Sequence, residues 1–226
     1  MYIEATDYGL TEIIEQNQIV VFDTSAFAFK RRDKNSDEVK NDTFPKPSLD
    51  MTIQYLNTLI EFFNYDKNNN GKGKKLVVPK KVIEELTFRK ECSKKTEEKL
   101  YRLFDKQNNL LKVIRNHIPV FSKEENDKLW NYLNIEKHRY LDVYRLSRKD
   151  RTILATALAL AENNKCALLT NDSGMIKAAL YTQEHYDLTN ILSENLNVYT
   201  MIDSKKFRVA IRISDNNFLC CGKTDK

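Results

Sequence analysis

A chain of 226 residues with 41% hydrophobic and 31% charged residues has room for one α/β domain with an ordinary core and a heavily solvated surface, so a single domain over 1–226 is expected. The formal net charge of +5 suits nucleic acid without requiring it, so the placement of the cations matters more than their sum. The longest apolar stretch, Ile153 to Ala161, is too short to cross a bilayer, and Met1-Tyr2-Ile3-Glu4 lacks the basic and apolar regions of a signal peptide; the expected address is cytoplasmic.

Four cysteines, Cys92, Cys166, Cys220 and Cys221, are too irregularly spaced for a disulfide framework or a zinc site. His117, His138 and His185 show no paired spacing, which disfavours a histidine metal site or a Ser-His-Asp triad. With five glycines and neither a GxGxxG nor a Walker loop, nucleotide binding is disfavoured too.

In chain order, Leu10, Ile13 and Ile14 predict a short amphipathic helix leading into Ile19-Val20-Val21-Phe22. That continuous apolar run is the pattern of a strand buried on both faces, the centre of a parallel sheet. Asp23, Thr24 and Ser25 follow at its carboxyl end, where ligands bind in open α/β sheets. Ala26 to Phe29 reads as a buried turn. Residues 30–48, with Lys30-Arg31-Arg32 and Pro45-Lys46-Pro47, read as a solvated loop insertion. Ser48 or Asp50 caps a helix through Phe63, ended at Asn68-Asn69-Asn70-Gly71. Leu76-Val77-Val78 is the second strand, stopped by Pro79, and the next helix turns Val82, Ile83 and Leu86 inward beside Glu84 and Glu85.

A helical insertion over about 93–147 contains a Lys- and Glu-rich helix, a short third strand at Ile118–Phe121, and a helix opening at Ser122-Lys123-Glu124-Glu125 with Trp130 and Leu133 inward. Ser147-Arg148-Lys149-Asp150 opens a helix that packs through Ile153, Ala157, Leu160 and Ala161. Cys166 to Thr170 is the next buried strand, and Asn171-Asp172-Ser173-Gly174 begins a helix through Leu180. Val198–Ile202 and Phe207–Ile213 close the fold, the latter as a half-solvated edge strand with Phe207, Val209, Ile211 and Ile213 inward, followed by a loose tail from Asp215. Strands alternating with helices predict a three-layer α/β/α architecture with a mainly parallel sheet and an added C-terminal strand pair.

Asp23, Asp150, Asp172 and Glu85 therefore fall on one rim of the sheet. Four carboxylates so placed repel one another unless cations neutralise them, which makes a hard oxygen site suited to Mg²⁺ or Mn²⁺. Each acid also has a plain structural use. Asp150 stands at capping-box spacing from Ser147, Asp172 is a natural N-cap, Asp23 is able to fix the following turn, and Glu84 or Glu85 fits a solvated helix face.

The segments Val20-Val21-Phe22-Asp23-Thr24-Ser25, Val78 to Leu86, Asp150 with Ile153 to Leu158, and Leu168-Leu169-Thr170-Asn171-Asp172, in that order over about 19–180, resemble the PIN-domain nucleases. The resemblance implies a metal-dependent endoribonuclease in which Asp23, Glu85, Asp150 and Asp172 hold one or two Mg²⁺ or Mn²⁺ ions. It implies phosphodiester hydrolysis by metal-activated water, leaving a 5′-phosphate. Glu85, not Glu84, takes the matching position. Thr24, Ser25, Asn171 and Ser173 would orient the acids or touch the scissile phosphate. Lys30, Arg31, Arg32, Lys80, Lys81, Arg89, Lys90, Arg148, Lys149 and Arg151 adjoin the acids in sequence and suggest a phosphate-tracking rim. The expected partner is nucleic acid, RNA over DNA, with a protein regulator or inhibitor and a homodimer left open.

The insertions at 30–48 and 93–147 are longer than in the compact toxin ribonucleases, so RNA processing, defence and toxin roles all stay open. Rival readings are a non-catalytic PIN-like scaffold for RNA or protein and a flap-type DNA nuclease. An aspartate-nucleophile phosphatase would want an acid two residues after Asp23, where Ser25 stands.

Overall fold

A computed structural model of the chain describes residues 7–27, 49–68, 75–93, 101–134, 146–184, 195–201, 206–214 and 217–220. Loop 30–48 and its Lys30-Arg31-Arg32 cluster lie outside these residues. So do residues 135–145, while for Arg89, Lys90, Trp130 and Leu133 only the backbone is described.

Helix α1 (Leu10–Gln16) leads into β1 (Ile19–Phe22), and a 3₁₀ turn (Thr24–Ala26) follows. Then come α2 (Leu49–Asn68), β2 (Leu76–Val77), α3 (Lys80–Ser93), α4 (Tyr101–Ile114) with a 3₁₀ turn at Arg115–His117, and α5 (Lys123–Asn134). Helix α6 (Arg148–Ala161), β3 (Cys166–Leu169), α7 (Ser173–Glu184), β4 (Leu196–Met201), β5 (Phe207–Ser214) and β6 (Asn217–Cys220) complete the order.

The strands lie in the order β2-β1-β3-β4-β5-β6. The first four are parallel and the last two pairings antiparallel. With helices packed on this mainly parallel sheet, the architecture is the expected α/β/α one. Strand β1 is central because Val20, Val21 and Phe22 are wholly buried; a strand apolar at every position needs cover on both faces. From β1 the chain crosses to β2 on one side, then returns past β1 to β3 on the other. The strand order reverses between β1 and β3, and that topological switch point opens a crevice at their carboxyl ends.

Directly beneath the crevice, Phe22 packs against Phe63 with ring centroids 5.0 Å apart and against Phe27 at 5.4 Å. Tyr55 of α2 donates to Ala26 O at 2.8 Å, fixing the turn after Asp23 from below. Nearby, His117 is buried, its ring edge-on to Phe63 at 4.8 Å. Its Nδ1 lies 3.2 Å from Val113 O. Nε2 sits 3.4 Å from Asp66 Oδ2, close enough for an ion pair but without hydrogen-bond geometry.

Three expectations need correction. Ile118–Phe121 is not a strand: Pro119 has no N–H to give a ladder, Val120 is 96% exposed, and the nearby bond Val78 N–H to His117 O at 2.9 Å joins the residues just past β2 and just before this stretch. The tail is not loose throughout, because β6 pairs antiparallel with β5 (Ile211 opposite Leu219). β5 is consequently no edge strand, and Ala210 is buried where Val209 is only half-buried.

Candidate active site

Strand β1 delivers Asp23 to the crevice, where its own N–H bonds Leu169 O of β3 at 3.0 Å. The side chain opens the 3₁₀ turn: Oδ1 accepts Thr24 N–H at 2.6 Å and Oδ2 accepts Ser25 N–H at 3.3 Å. Two hydroxyls also donate to Oδ2, Ser25 Oγ at 2.5 Å and Thr170 Oγ1 at 2.8 Å. Asp23 is 3% exposed. Burial pushes its carboxyl above the ordinary value, and the bonds from Ser25, Thr170 and the Thr24 and Ser25 amides only partly oppose that.

Helix α3 places Glu85 in the same cleft, where Thr24 Oγ1 donates to its Oε2 at 2.8 Å. Glu84, one residue earlier, is outside it. Its carboxylate accepts from Lys81 Nζ at 2.8 Å, a bond that holds it below the ordinary range. Helix α6 brings Asp150 in a capping box, with Asp150 Oδ2 accepting Ser147 N–H at 3.1 Å and Ser147 Oγ accepting Asp150 N–H at 3.2 Å. Asp172 caps α7, its Oδ1 accepting from the Gly174 and Met175 amides at 2.9 and 3.1 Å.

Asp23, Glu85, Asp150 and Asp172 together line one cleft of about 560 Å³, with Thr24, Ser25, Ser147, Arg148 and Lys149. The capping uses expected for Asp150 and Asp172 are therefore present at the same time as their place in the cleft. Each of the three aspartates sits at the positive amino end of a helix or turn and takes its own N–H donors.

Of the other expected residues, Asn171 is a brace: its amide donates to Ser25 O at 3.2 Å while its Oδ1 accepts Met201 N–H at 2.7 Å and Thr200 Oγ1 at 3.2 Å. Ser173 and Lys80 are exposed, Lys81 is half-buried, and all three are outside the cleft lining. Arg151 donates from Nε to Leu146 O at 3.2 Å, anchoring the entry to α6. Thr170 and Ser147 were not singled out as site residues by sequence. Thr170 lies inside the strand motif, but only the parallel register pairing Phe22 with Leu169 sets it beside Asp23.

Carboxylates and hydroxyls are the hard oxygen donors that Mg²⁺ and Mn²⁺ take, so the donor set fits such an ion. Among the described residues, however, no group of three or more His, Cys, Asp or Glu side chains stands in a metal-holding arrangement. An ion would have to compete with the caps. Sulfur takes no part at Cys166, a buried thiol pushed up to about 12 by desolvation.

The acidic cleft lies at the switch point of a mainly parallel α/β/α sheet. Compared with known families, the chain matches the PIN domain over residues 51–186, more than half its length, and it belongs to that family. PIN domains are generally nucleases and typically use divalent metals. The match takes in Glu85, Asp150 and Asp172 and begins after Asp23, which the fold, not the family match, joins to them. Comparison with curated proteins and with solved structures found no match.

Proposed function

We propose that this PIN-domain protein is a divalent-metal-dependent endoribonuclease that hydrolyses phosphodiester bonds in single-stranded or structured RNA. The observation that carries the reading is the convergence of Asp23, Glu85, Asp150 and Asp172 on one cleft whose lining also includes Arg148 and Lys149. A cleft lined by both acids and cations suits a phosphate backbone held against a hard-ion site.

In this reading Asp23, Glu85, Asp150 and Asp172 hold one or two Mg²⁺ or Mn²⁺ ions, which when bound supply an activated water and neutralise charge on the transferring phosphoryl group. Arg148 and Lys149 bind the phosphates flanking the scissile bond. Thr24 orients Glu85, and Ser25 orients Asp23. RNA is favoured over DNA, a regulatory or inhibitory protein partner and homodimerisation fit the family resemblance, and the cytoplasm is the proposed compartment. Among the described residues no helix is long and apolar enough to cross a membrane.

The test is incubation with RNA and DNA, single-stranded and structured, with Mg²⁺, with Mn²⁺ and with chelator, mapping the cut ends. Metal-dependent RNA cleavage leaving 5′-phosphates is expected from the parent chain. Asp23→Asn and Asp150→Asn should each lower the rate at least a thousandfold, about 4 kcal/mol of barrier, with unchanged circular dichroism. The scaffold reading draws on the absence of a gathered metal site among the described residues. Nucleic-acid binding without cleavage under every metal would favour it.

A further inference from the structure

The two oxygens of Asp23 are held very differently. Oδ2 accepts from the Ser25 hydroxyl, the Thr170 hydroxyl and the Ser25 amide, whereas Oδ1 accepts from the Thr24 amide. Each hydroxyl in turn accepts from a backbone amide of the β3–α7 connection: Asn171 N–H donates to Ser25 Oγ at 2.7 Å, and Asp172 N–H donates to Thr170 Oγ1 at 3.1 Å. A hydroxyl has one proton to give, and both hydroxyls lie within donating distance of Oδ2, the carboxylate oxygen they share. The two hydroxyls are 3.2 Å apart.

We infer that Thr170 is a positioning residue of the metal site. It locks the Asp23 carboxylate through Oδ2, leaving Oδ1 as the oxygen presented to a cation, and ties the backbone of Asp172 to that same carboxylate. The inference rests on the proposed divalent-metal reading. Thr170 touches neither ion nor substrate in it; it sets the spacing and rotation of two acids that come from different strands. Charge-assisted bonds in a buried site are strong enough for this, because a carboxylate pinned by two hydroxyls cannot swing away without leaving an unpaired buried charge. Serine at the position keeps the hydroxyl; valine keeps the branched shape and removes it.

The experiment measures Mn²⁺ binding by calorimetry, with thermal unfolding in chelator recorded in parallel, for the parent, Thr170→Val, Thr170→Ala and Thr170→Ser. Outer groups of this kind typically change metal affinity by about 10- to 100-fold. Thr170→Val and Thr170→Ala are expected to bind Mn²⁺ at least tenfold more weakly, and Thr170→Ser to within about threefold of the parent. Two hydroxyl-free variants are used so that misfolding of one leaves the other as the measurement. A hydroxyl-free variant that binds as tightly as the parent overturns the role of Thr170 and leaves the metal reading standing, as does Thr170→Ser binding as weakly as Thr170→Val. A parent chain that takes up no Mn²⁺ overturns the metal reading and this inference with it.

Discussion

Asp23 and Asp66 are both desolvated, yet they are driven in opposite directions. For Asp66 burial would raise the carboxyl, but the contact with His117 and the amides of Lys75 and Leu76, at 3.0 and 3.2 Å, outweigh it and hold it below the ordinary value. Asp23 has only neutral donors, and burial wins. A carboxyl lowered in the folded state contributes stability that is complete above the unfolded chain's carboxylate range and lost as pH falls through the lowered folded value. Asp66→Asn should therefore flatten the acid limb of stability against pH and cost about 1–3 kcal/mol near neutrality. Urea unfolding of both chains from neutral to acid pH checks it. At this scale the sequence displayed Asp23 and Asp172 as acids at strand ends, since an apolar run stops at Asp23 and another stops two residues before Asp172. It could not choose between Glu84 and Glu85, which differ by about 100° around α3. That choice depends on where α3 lies relative to Thr24.

The elements were legible where one force dominated. β1, β3 and α6 are apolar enough that burial decides them, and Ser147 with Asp150 marks the start of α6. Ser147→Ala should cost about 1 kcal/mol, the usual worth of an N-cap. The same change removes one constraint on the cleft end of α6, so its effect on cleavage is to be read beside its effect on melting. Phe63 is held among Phe22, Phe27 and His117, and Phe63→Ala should lose about 3–5 kcal/mol by denaturant titration. Elements set by pairing were not legible. Ile118–Phe121 had strand-forming residues but Pro119 removes an N–H that a ladder needs, while Asn217–Cys220 looked like a tail until β5 offered it an open side.

For the whole molecule, topology does what no local motif does: reversal of strand order between β1 and β3 gathers acids that are far apart in the chain. The alternation of strands and helices made that architecture readable, but the facing of cations did not follow from sequence proximity. Of the basic residues next to an acid in sequence, Arg148 and Lys149 line the cleft, whereas Lys81 pairs with Glu84 and Arg151 bonds backbone. Arg148→Glu with Lys149→Glu should weaken RNA binding across sequences and reduce the slope of log affinity against log salt by about two. Fluorescence anisotropy at several salt concentrations measures it, and an unaltered slope would return both residues to plain surface. The outer strand β2 has a further consequence for life in a crowded solution. It is two residues long, and the amides of Leu76 and Val78 are already taken by Asp66 Oδ2 and His117 O. A stranger's strand arriving at that margin finds its hydrogen-bonding positions occupied, so this side of the sheet is a poor template for runaway stacking of one copy on another.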